Sequence, residues 1–491
     1  MSAPRALACL AALGLLSACA AGPDYKRPDV NVPTSYRGQA GPPEAKSLAD
    51  LPWWELYKDP ALTGLIRTAL AQNLDLKLAV ARVEEARARA RAANADFFPS
   101  VSGTLSTSPQ PGSAAAVPGS VPGTVDFQYL PSGSSYSGGA SLSWELDFFG
   151  RVRRSSQAAR ADLLASEEGR RAAVSSLVSQ VASTYFQLRI LDAQREITLR
   201  TIESDEASLK LVRAQMRGGI ASATEEQQAL GQLASVRAQL PVIDHQIAQA
   251  ENQISVLLGQ NPGPVARPEK AEEMPVPPDV PEGLPSQLLE RRPDIRQAEE
   301  QLAAATARIG VAKALTFPFP KILLTALAGA VSSSLSELLK GNGASFNSWG
   351  PGVTWPLLDL KGQANVGVAE AQAKQAALTY RSAILTSLRE VADSLSNLQT
   401  VRAQIEAEGV RAKAGEEYAR LTNLRYQGGV SSYLEVLDAQ RQYYSSQIDY
   451  QSARLTQLQG LVQLYKALGG GWSEAIQEST AQPGPSAGAT H

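Results

Sequence analysis

Apolar and polar positions change register several times along the chain, and each change predicts an element. From about Arg151 to Met216, and again from about Gln363 to Arg425, apolar residues recur in steps of three and four, with no proline and little glycine. That spacing is helical. Each stretch predicts a helix of roughly 65 residues, about 100 Å long at ~1.5 Å rise per residue, far longer than the usual dozen. One apolar stripe is Val174, Leu177, Val181, Thr184, Leu188 and Leu191. Another is Leu385, Leu388, Val391, Leu395, Leu398, Val401 and Ile405. Such seams must bury against other helices. They are not strictly heptad, which favours a larger helical cylinder over a two-stranded rod.

A different period governs four Gly- and Ser-rich stretches: Val101 to Ser108, Tyr136 to Phe148, Ile322 to Val331 and Trp349 to Leu358. Apolar and polar residues alternate there, predicting two pairs of strands. Alternation without sustained hydrophobicity is how membrane β-barrel strands read. No apolar run beyond the first twenty residues approaches the ~20 residues a membrane helix needs, so a spanning part has to be a barrel. Four strands cannot enclose a usable lumen, and lipid tolerates no open sheet edge. The barrel is therefore shared between chains, and three chains give an even-numbered, twelve-stranded barrel. The connection from about Pro109 to Leu130, rich in Pro, Gly and Ser, is expected to be a mobile outer loop.

The elements occur in two copies. Asn73 to Ala79 matches Arg292 to Ala298, and Ala93 to Pro99 matches Ala312 to Pro318. Leu146 to Gly150 then matches Leu358 to Gly362, and Gly218 to Ser222 matches Gly428 to Ser432. Four matches in one order, at offsets of 210 to 219, indicate duplication. Each copy reads as helix, two strands, very long helix, turn and helix, the first helices running from about Pro60 to Ala95 and from about Pro285 to Leu315. The expected fold class is a mixed α and β membrane protein with a long α-helical barrel, a trimeric twelve-stranded transmembrane β-barrel and two internal repeats. The repeats occupy 60–260 and 285–470, joined by a Pro-rich linker at 261–284, with a polar, disordered tail at 471–491.

Composition narrows the function. The 491 residues carry a formal net charge of −2, so no basic field invites nucleic acid. Arg82, Arg87, Arg89 and Arg91 alternate with Ala beside Glu84 and Glu85, the pattern of a solvated helix face. The only histidines are His245 and His491. No metal-ligand cluster, catalytic triad or phosphate-cradling loop emerges, and an enzyme is not expected.

The N-terminus is an export signal: Arg5, an apolar stretch from Ala6 to Leu16, then Ser17-Ala18-Cys19. The Leu-Ser-Ala-Cys ending resembles the bacterial lipobox, which implies cleavage after residue 18 and S-diacylglycerol and N-palmitoyl groups on Cys19. Cleavage also removes Cys9, leaving no thiol pair for a disulfide. Ala20, rather than Asp, follows the cysteine, which by the lipoprotein sorting rule implies the outer membrane. Residues 19–59, rich in Pro, would then run extended from a lipid anchor; no other cofactor is implied.

Four further motifs are Leu51-Pro-Trp-Trp54, Arg291-Arg-Pro-Asp-Ile-Arg296, Ala307-Arg-Ile-Gly-Val-Ala-Lys-Ala314 and Tyr433-Leu-Glu-Val-Leu-Asp-Ala-Gln440. Together they resemble the TolC-like outer-membrane factors, specifically the lipidated NodT-type branch serving resistance-nodulation-division (RND) efflux pumps. The resemblance covers essentially the whole mature chain. It implies a homotrimer in the outer membrane with a long periplasmic extension, a periplasmic adaptor (membrane fusion protein) and an inner-membrane RND transporter as partners, and drugs or other small molecules as cargo. One departure is Gln363, where the family usually carries an arginine that copy one keeps as Arg151.

The resemblance also assigns roles. Gly218, Gly219, Gly428 and Gly429 permit the left-handed geometry that ends a helix, and in this fold those turns form the periplasmic tip that docks the adaptor. Glu435 and Asp438, three apart on one helix face, stand where the family lines its periplasmic aperture; threefold symmetry would gather six carboxylates into a cation-favouring ring. Tyr426 matches a position that ties the closed aperture together. Glu225 and Gln228 are their weaker counterparts in copy one. Two alternatives remain open: the outer-membrane duct of a type I secretion system and, in a different class, a periplasmic coiled-coil adaptor or structural lipoprotein. An adaptor would show one long hairpin between β-rich domains, whereas this chain shows two hairpins and paired strands.

Overall fold

The computed structural model describes residues 20–37, 59–110, 113–118, 125–130, 133–268, 285–316 and 318–471. The signal peptide, Cys19, the Leu51 to Trp54 motif, most of the linker and the tail from Trp472 lie outside the described residues. In chain order the elements are helices α1 (Pro60–Gln72) and α2 (Leu74–Ala95), strands β1 (Ser100–Gln110), β2 (Ser113–Pro118), β3 (Val125–Leu130) and β4 (Gly133–Glu145), and helices α3 (Arg151–Arg217) and α4 (Ala223–Leu257). Copy two follows with a 3-10 turn (Pro285–Gln287), α5 (Leu288–Arg291), α6 (Pro293–Ala314), β5 (Lys321–Ser332), α7 (Leu335–Leu339), β6 (Ala344–Thr354), α8 (Leu360–Gln427) and α9 (Tyr433–Ala467). Among the described residues, no helix is long and apolar enough to cross a membrane.

Two expectations need correction. The Pro109 to Leu130 connection is not a plain loop, because β2 and β3 pair there as an antiparallel hairpin. Alternation such as Val125-Asp-Phe-Gln-Tyr-Leu130 is a strand signal that the surrounding Pro and Gly outweighed. Neither first helix is continuous either. Copy one breaks at Asn73 and copy two at Arg292, and the same device stabilises both breaks. The Asn73 side-chain amide donates to the Leu257 carbonyl at the end of α4, 2.9 Å away. The Arg292 guanidinium donates to the Ala467 carbonyl at the end of α9, 3.1 Å away. Each break residue thus satisfies a carbonyl that a helix C-terminus leaves without an intrahelical partner. Asn73 also caps α2 by accepting from the Leu76 N–H.

Two compact units group the chain. One comprises Met1–Pro28, Glu84–Leu164 and Glu299–Leu378. It contains a four-stranded antiparallel sheet in the order β1-β4-β5-β6. Pairing registers place Val101, Leu105, Ala140, Leu142, Leu324, Ala326, Trp349 and Val353 on one face. The opposite face carries Ser102, Ser106, Ser137 and Ser141, whose hydroxyls bond across β1 and β4 at 2.7 and 2.8 Å. β1 and β4 thus carry one apolar and one hydroxyl face, as the alternation predicts, while β5 is apolar on both, with Leu323, Leu327 and Val331 on the serine side. In the same unit α6 and α8 pack through alanines, with Ala305, Ile309, Ala369 and Ala373 buried together.

The second unit comprises Asp29–Val83, Ala165–Ala298 and Thr379–His491. Its core is built on Leu62, Ile66, Tyr185, Phe186, Leu188, Ile190, Ile254 and Ile295, all fully buried. The first apolar stripe is this core: Val174, Leu177, Val181, Leu188 and Leu191 are buried. Of the second stripe, Val391, Leu395 and Val401 are buried, Leu388, Leu398 and Ile405 are half-buried, and Leu385 is exposed; Tyr380, Ile384 and Ser387 continue the buried row toward the start of α8.

Candidate functional site at the hairpin tips

Each long helix ends in the same turn. Gly219 and Gly429 have φ of 74° and 72°, where a side chain would be strained. The Ile220 N–H reaches back to the Gln215 carbonyl and the Val430 N–H to the Arg425 carbonyl, both at 2.9 Å. These are the six-to-one bonds of a Schellman motif, which satisfy helix-end carbonyls. Gly218 and Gly428 lie in the turns without a positive φ. The turns leave Ile220, Val430 and Leu434 largely exposed, three large apolar side chains at the two tips.

The helices after the turns start differently. In copy one, Ser222 and Glu225 form a reciprocal capping box: the serine hydroxyl accepts from the Glu225 N–H, and the Glu225 carboxylate accepts from the Ser222 N–H. In copy two, Ser432 makes no side-chain cap. Glu435, the counterpart of Glu225, instead accepts from the Ser431 hydroxyl at 2.8 Å. Glu435 and Asp438 are both exposed on one face of α9, and Asp438 accepts from the Gln442 amide at 2.6 Å. Glu435 and Asp438 thus share one exposed face of the helix, and neither carboxylate caps it.

Tyr426 joins the two hairpins within the chain. Its hydroxyl donates to the Gln215 side-chain carbonyl at 3.0 Å, and its ring lies 5.2 Å from that of Tyr433. Tyr433 belongs to a buried cluster with Leu209, Val212, Ala229, Leu233, Val436 and Leu437, drawn from α3, α4 and α9. Burial, then the nearby Asp205 carboxylate, pushes the Tyr433 phenol up to about 12. Gln215 and Tyr433 were not singled out by sequence reasoning. The tyrosine sits inside a motif that was quoted, but the glutamine carries no local signal because its partner is 211 positions away. Glu225 serves as a cap and Gln228 is half-buried. His245 is exposed, as are Arg82, Arg87, Arg89 and Arg91. Among the described residues no group of His, Cys, Asp or Glu forms a metal site.

The segment after Cys19 is also held firmly. The Ala21 N–H donates to the Phe149 carbonyl at 2.9 Å. Arg154, buried near the start of α3, donates to the carbonyls of Ala21 and Gly22 and pairs with Asp24 at 2.8 Å. Gly22 lies against Gly310 so closely that a Cβ on Gly22 would stand 2.5 Å from the Gly310 Cα. The Ala307 to Ala314 motif thus contains a glycine where the N-terminal segment crosses α6.

Paired hairpins, an antiparallel sheet with one apolar face and a tethered N-terminus define a duct protein built by duplication. A family profile described as outer membrane efflux protein matches residues 65–260 and 284–470. The solvent efflux pump outer membrane protein SrpC of Pseudomonas putida is 38% identical over 469 residues, 94% of this chain and 97% of that protein. The cation efflux system protein CusC of Escherichia coli O6:H1 is 34% identical over 463 residues, again 94% of this chain and 97% of that protein. The solved structure of the outer-membrane channel OprN superimposes with a TM-score of 0.81 at 31% identity, covering 92% of this chain and all of the other. The chain belongs to the outer membrane efflux protein family. It is an outer-membrane efflux channel protein of the TolC-like class, in a family of ducts rather than enzymes.

Proposed function

We propose that three copies of this chain assemble into a lipid-anchored passive duct that carries small molecules from a periplasmic adaptor and an inner-membrane RND transporter to the exterior. The carrying observation is the open sheet: β1 and β6 are its edges, each eleven residues long, and among the described residues no further strand pairs with the outer side of either. Such edges are untenable in hydrocarbon, and three four-stranded sheets joined edge to edge leave none. The apolar face would meet lipid and the hydroxyl face the lumen. The grip of Arg154 holds Ala21 and Gly22, two and three residues after Cys19 in sequence, beside the start of α3. That position suits lipidation of Cys19 at the membrane surface.

The exposed Ile220, Val430 and Leu434 give the tips an apolar surface for the adaptor. Glu435 and Asp438, with Tyr426 behind them, form the aperture ring. Cargo identity belongs to the transporter: relatives named for solvent and for cation efflux resemble this chain almost equally. Native mass spectrometry of the detergent-extracted mature protein tests the assembly. A trimer carrying acyl chains on Cys19 is expected; a lipid-free monomer would remove both the shared barrel and the anchor. In planar bilayers, Glu435→Ala with Asp438→Ala should weaken cation selectivity, and unchanged selectivity would sink the aperture assignment.

A further inference from the structure

Asp205 lies on α3, twelve positions before the end of the helix at Arg217, and is 3% exposed. Ionised, it is out of place there, because burying a carboxylate costs far more than one neutral hydrogen bond returns. Its one side-chain partner is Gln232 of α4, and its Oδ2 has none. Gln232, also buried, uses its other end to accept from the Arg441 Nε of α9 at 2.7 Å. A chain of three polar groups therefore runs from hairpin one into hairpin two. Beside it, the Gln440 amide of α9 donates to Ser208 of α3 at 3.4 Å, while its Oε1 is buried without a donor. The cluster adjoins the apolar group of Leu209, Leu233, Val436 and Tyr433.

We propose that Asp205, Gln232 and Arg441 form a latch between the two hairpins of one protomer, engaged while Asp205 carries a proton and loosened when it ionises. Protonation removes the buried charge while the carboxyl still accepts from the Gln232 amide. The groups facing it are known from each packed element. From α4 comes the neutral Gln232; from α9 come the Arg441 cation, which favours ionisation, and the Tyr433 phenol, neutral throughout the physiological range. Burial outweighs Gln232 and Arg441 and pushes the carboxyl up to about 6. Since that lies above the ordinary value, the stabilisation is complete below the ordinary carboxylate range and is lost as pH rises through about 6. The latch is separate from the aperture carboxylates Glu435 and Asp438, which are exposed. Its effect on opening rests on the proposed duct, because movement of one hairpin past the other must break it.

Amide hydrogen exchange of the intact assembled protein, corrected for intrinsic rates, tests the latch without requiring a channel. Amides of α3 near Leu209 and of α9 near Val436 should exchange about tenfold faster at about pH 7.5 than at about pH 5. Asp205→Asn should abolish the step and hold the slow value throughout. Arg441→Gln, which keeps the carboxyl, should move the step to higher pH by roughly one unit, and it serves if the asparagine variant does not assemble. A step that survives Asp205→Asn, or one unmoved by Arg441→Gln, overturns the latch. Single-channel recording on the same preparations should show fewer openings below pH ~6 in the wild type, the same change at higher pH in Arg441→Gln, and no change with pH in Asp205→Asn. Conductance independent of pH beside an intact exchange step overturns the link to gating, whereas absence of any channel counts against the duct itself.

Discussion

The two copies share one framework but differ where a strand hands over to its long helix. In copy one, Gly150 turns with φ of 81° and Asp147 caps α3 by accepting from the N–H groups of Val152 and Arg153. Arg151 then grips Glu145 with two hydrogen bonds, at 2.5 and 3.0 Å, and Lys321 joins the same carboxylate. In copy two, α8 begins earlier, at Leu360, and Gly362 lies inside the helix with its N–H on Asp359. The position equivalent to Arg151 is Gln363, and the one equivalent to Glu145 is the exposed Leu357. The departure at Gln363 is thus one half of a lost pair. With no carboxylate to hold, the arginine has no partner to keep it. Duplicated halves diverge pair by pair, so a substitution is interpretable only beside its neighbour in space.

The helix breaks offer the largest test of that comparison. Arg292 carries more than Asn73: besides the Ala467 carbonyl it holds Asp294 and Glu390, each at 2.7 Å. Burial raises Asp294, but the two hydrogen bonds and the charge of Arg292 outweigh this and hold its carboxyl below the usual range. Arg292→Ala should cost about 3 kcal/mol, since it strands a helix-end carbonyl and unpairs two half-exposed carboxylates. Asn73→Ala should cost about 1 to 2 kcal/mol for a lost cap and a lost carbonyl bond. Chemical denaturation followed by helix content gives both values; equal costs would mean that the ion pairs contribute nothing. A depressed carboxyl stabilises above its ordinary value, so the Asp294 contribution should vanish as pH falls through and below the usual carboxylate range. Asp205 has the opposite sign, and the two acids can be separated by pH alone.

At the strand-to-helix junctions the contrast is sharper and the cost smaller. Arg151→Ala leaves the partly buried Glu145 with only Lys321, which should cost about 2 kcal/mol. Gln363→Ala should lie within about 0.5 kcal/mol of wild type. Limited proteolysis at the start of α3 and of α8 measures each junction separately. Similar acceleration at both would show that the copy-one pair is incidental.

The chain reveals much of this architecture directly, because long helices and alternating strands repeat a simple rule over many residues. The two long helices, the four sheet strands and the glycine turns are all of this kind. What stayed hidden depends on distant partners. Asn73 sits inside a continuous helical pattern, and only a carbonyl 184 positions away gives it a reason to break the helix. Arg292 stands before Pro293, which marks that break locally, but its hold on a carbonyl 175 positions away leaves no local trace. Arg154 reads as one more basic residue until Ala21 and Gly22 arrive from 133 and 132 positions upstream. Asp205 is a common helix residue whose burial no local pattern announces. At the tips the turns were legible but the Tyr426–Gln215 contact was not. Glycine signals a backbone conformation, while a hydrogen bond between helices leaves no periodic trace.

The smallest effect tests the tips. Ser222 and Ser432 are equivalent in the repeat and nearly identical in backbone, with φ of −89° and −76°. Only Ser222 closes a capping box, so Ser222→Ala should loosen the first turn of α4 by about 1 kcal/mol. Ser432→Ala should leave α9 unchanged, because no side-chain cap is lost. Amide exchange at Glu225 and at Glu435 reads each turn where it forms. A fivefold acceleration, roughly what 1 kcal/mol gives, is expected at Glu225 alone. If Glu435 responded equally to Ser432→Ala, its carboxylate would be tied into a cap as Glu225 is. It would then not be free to face the aperture. The capping difference is what separates one glutamate that holds a helix end from another whose carboxylate stays exposed on the helix surface.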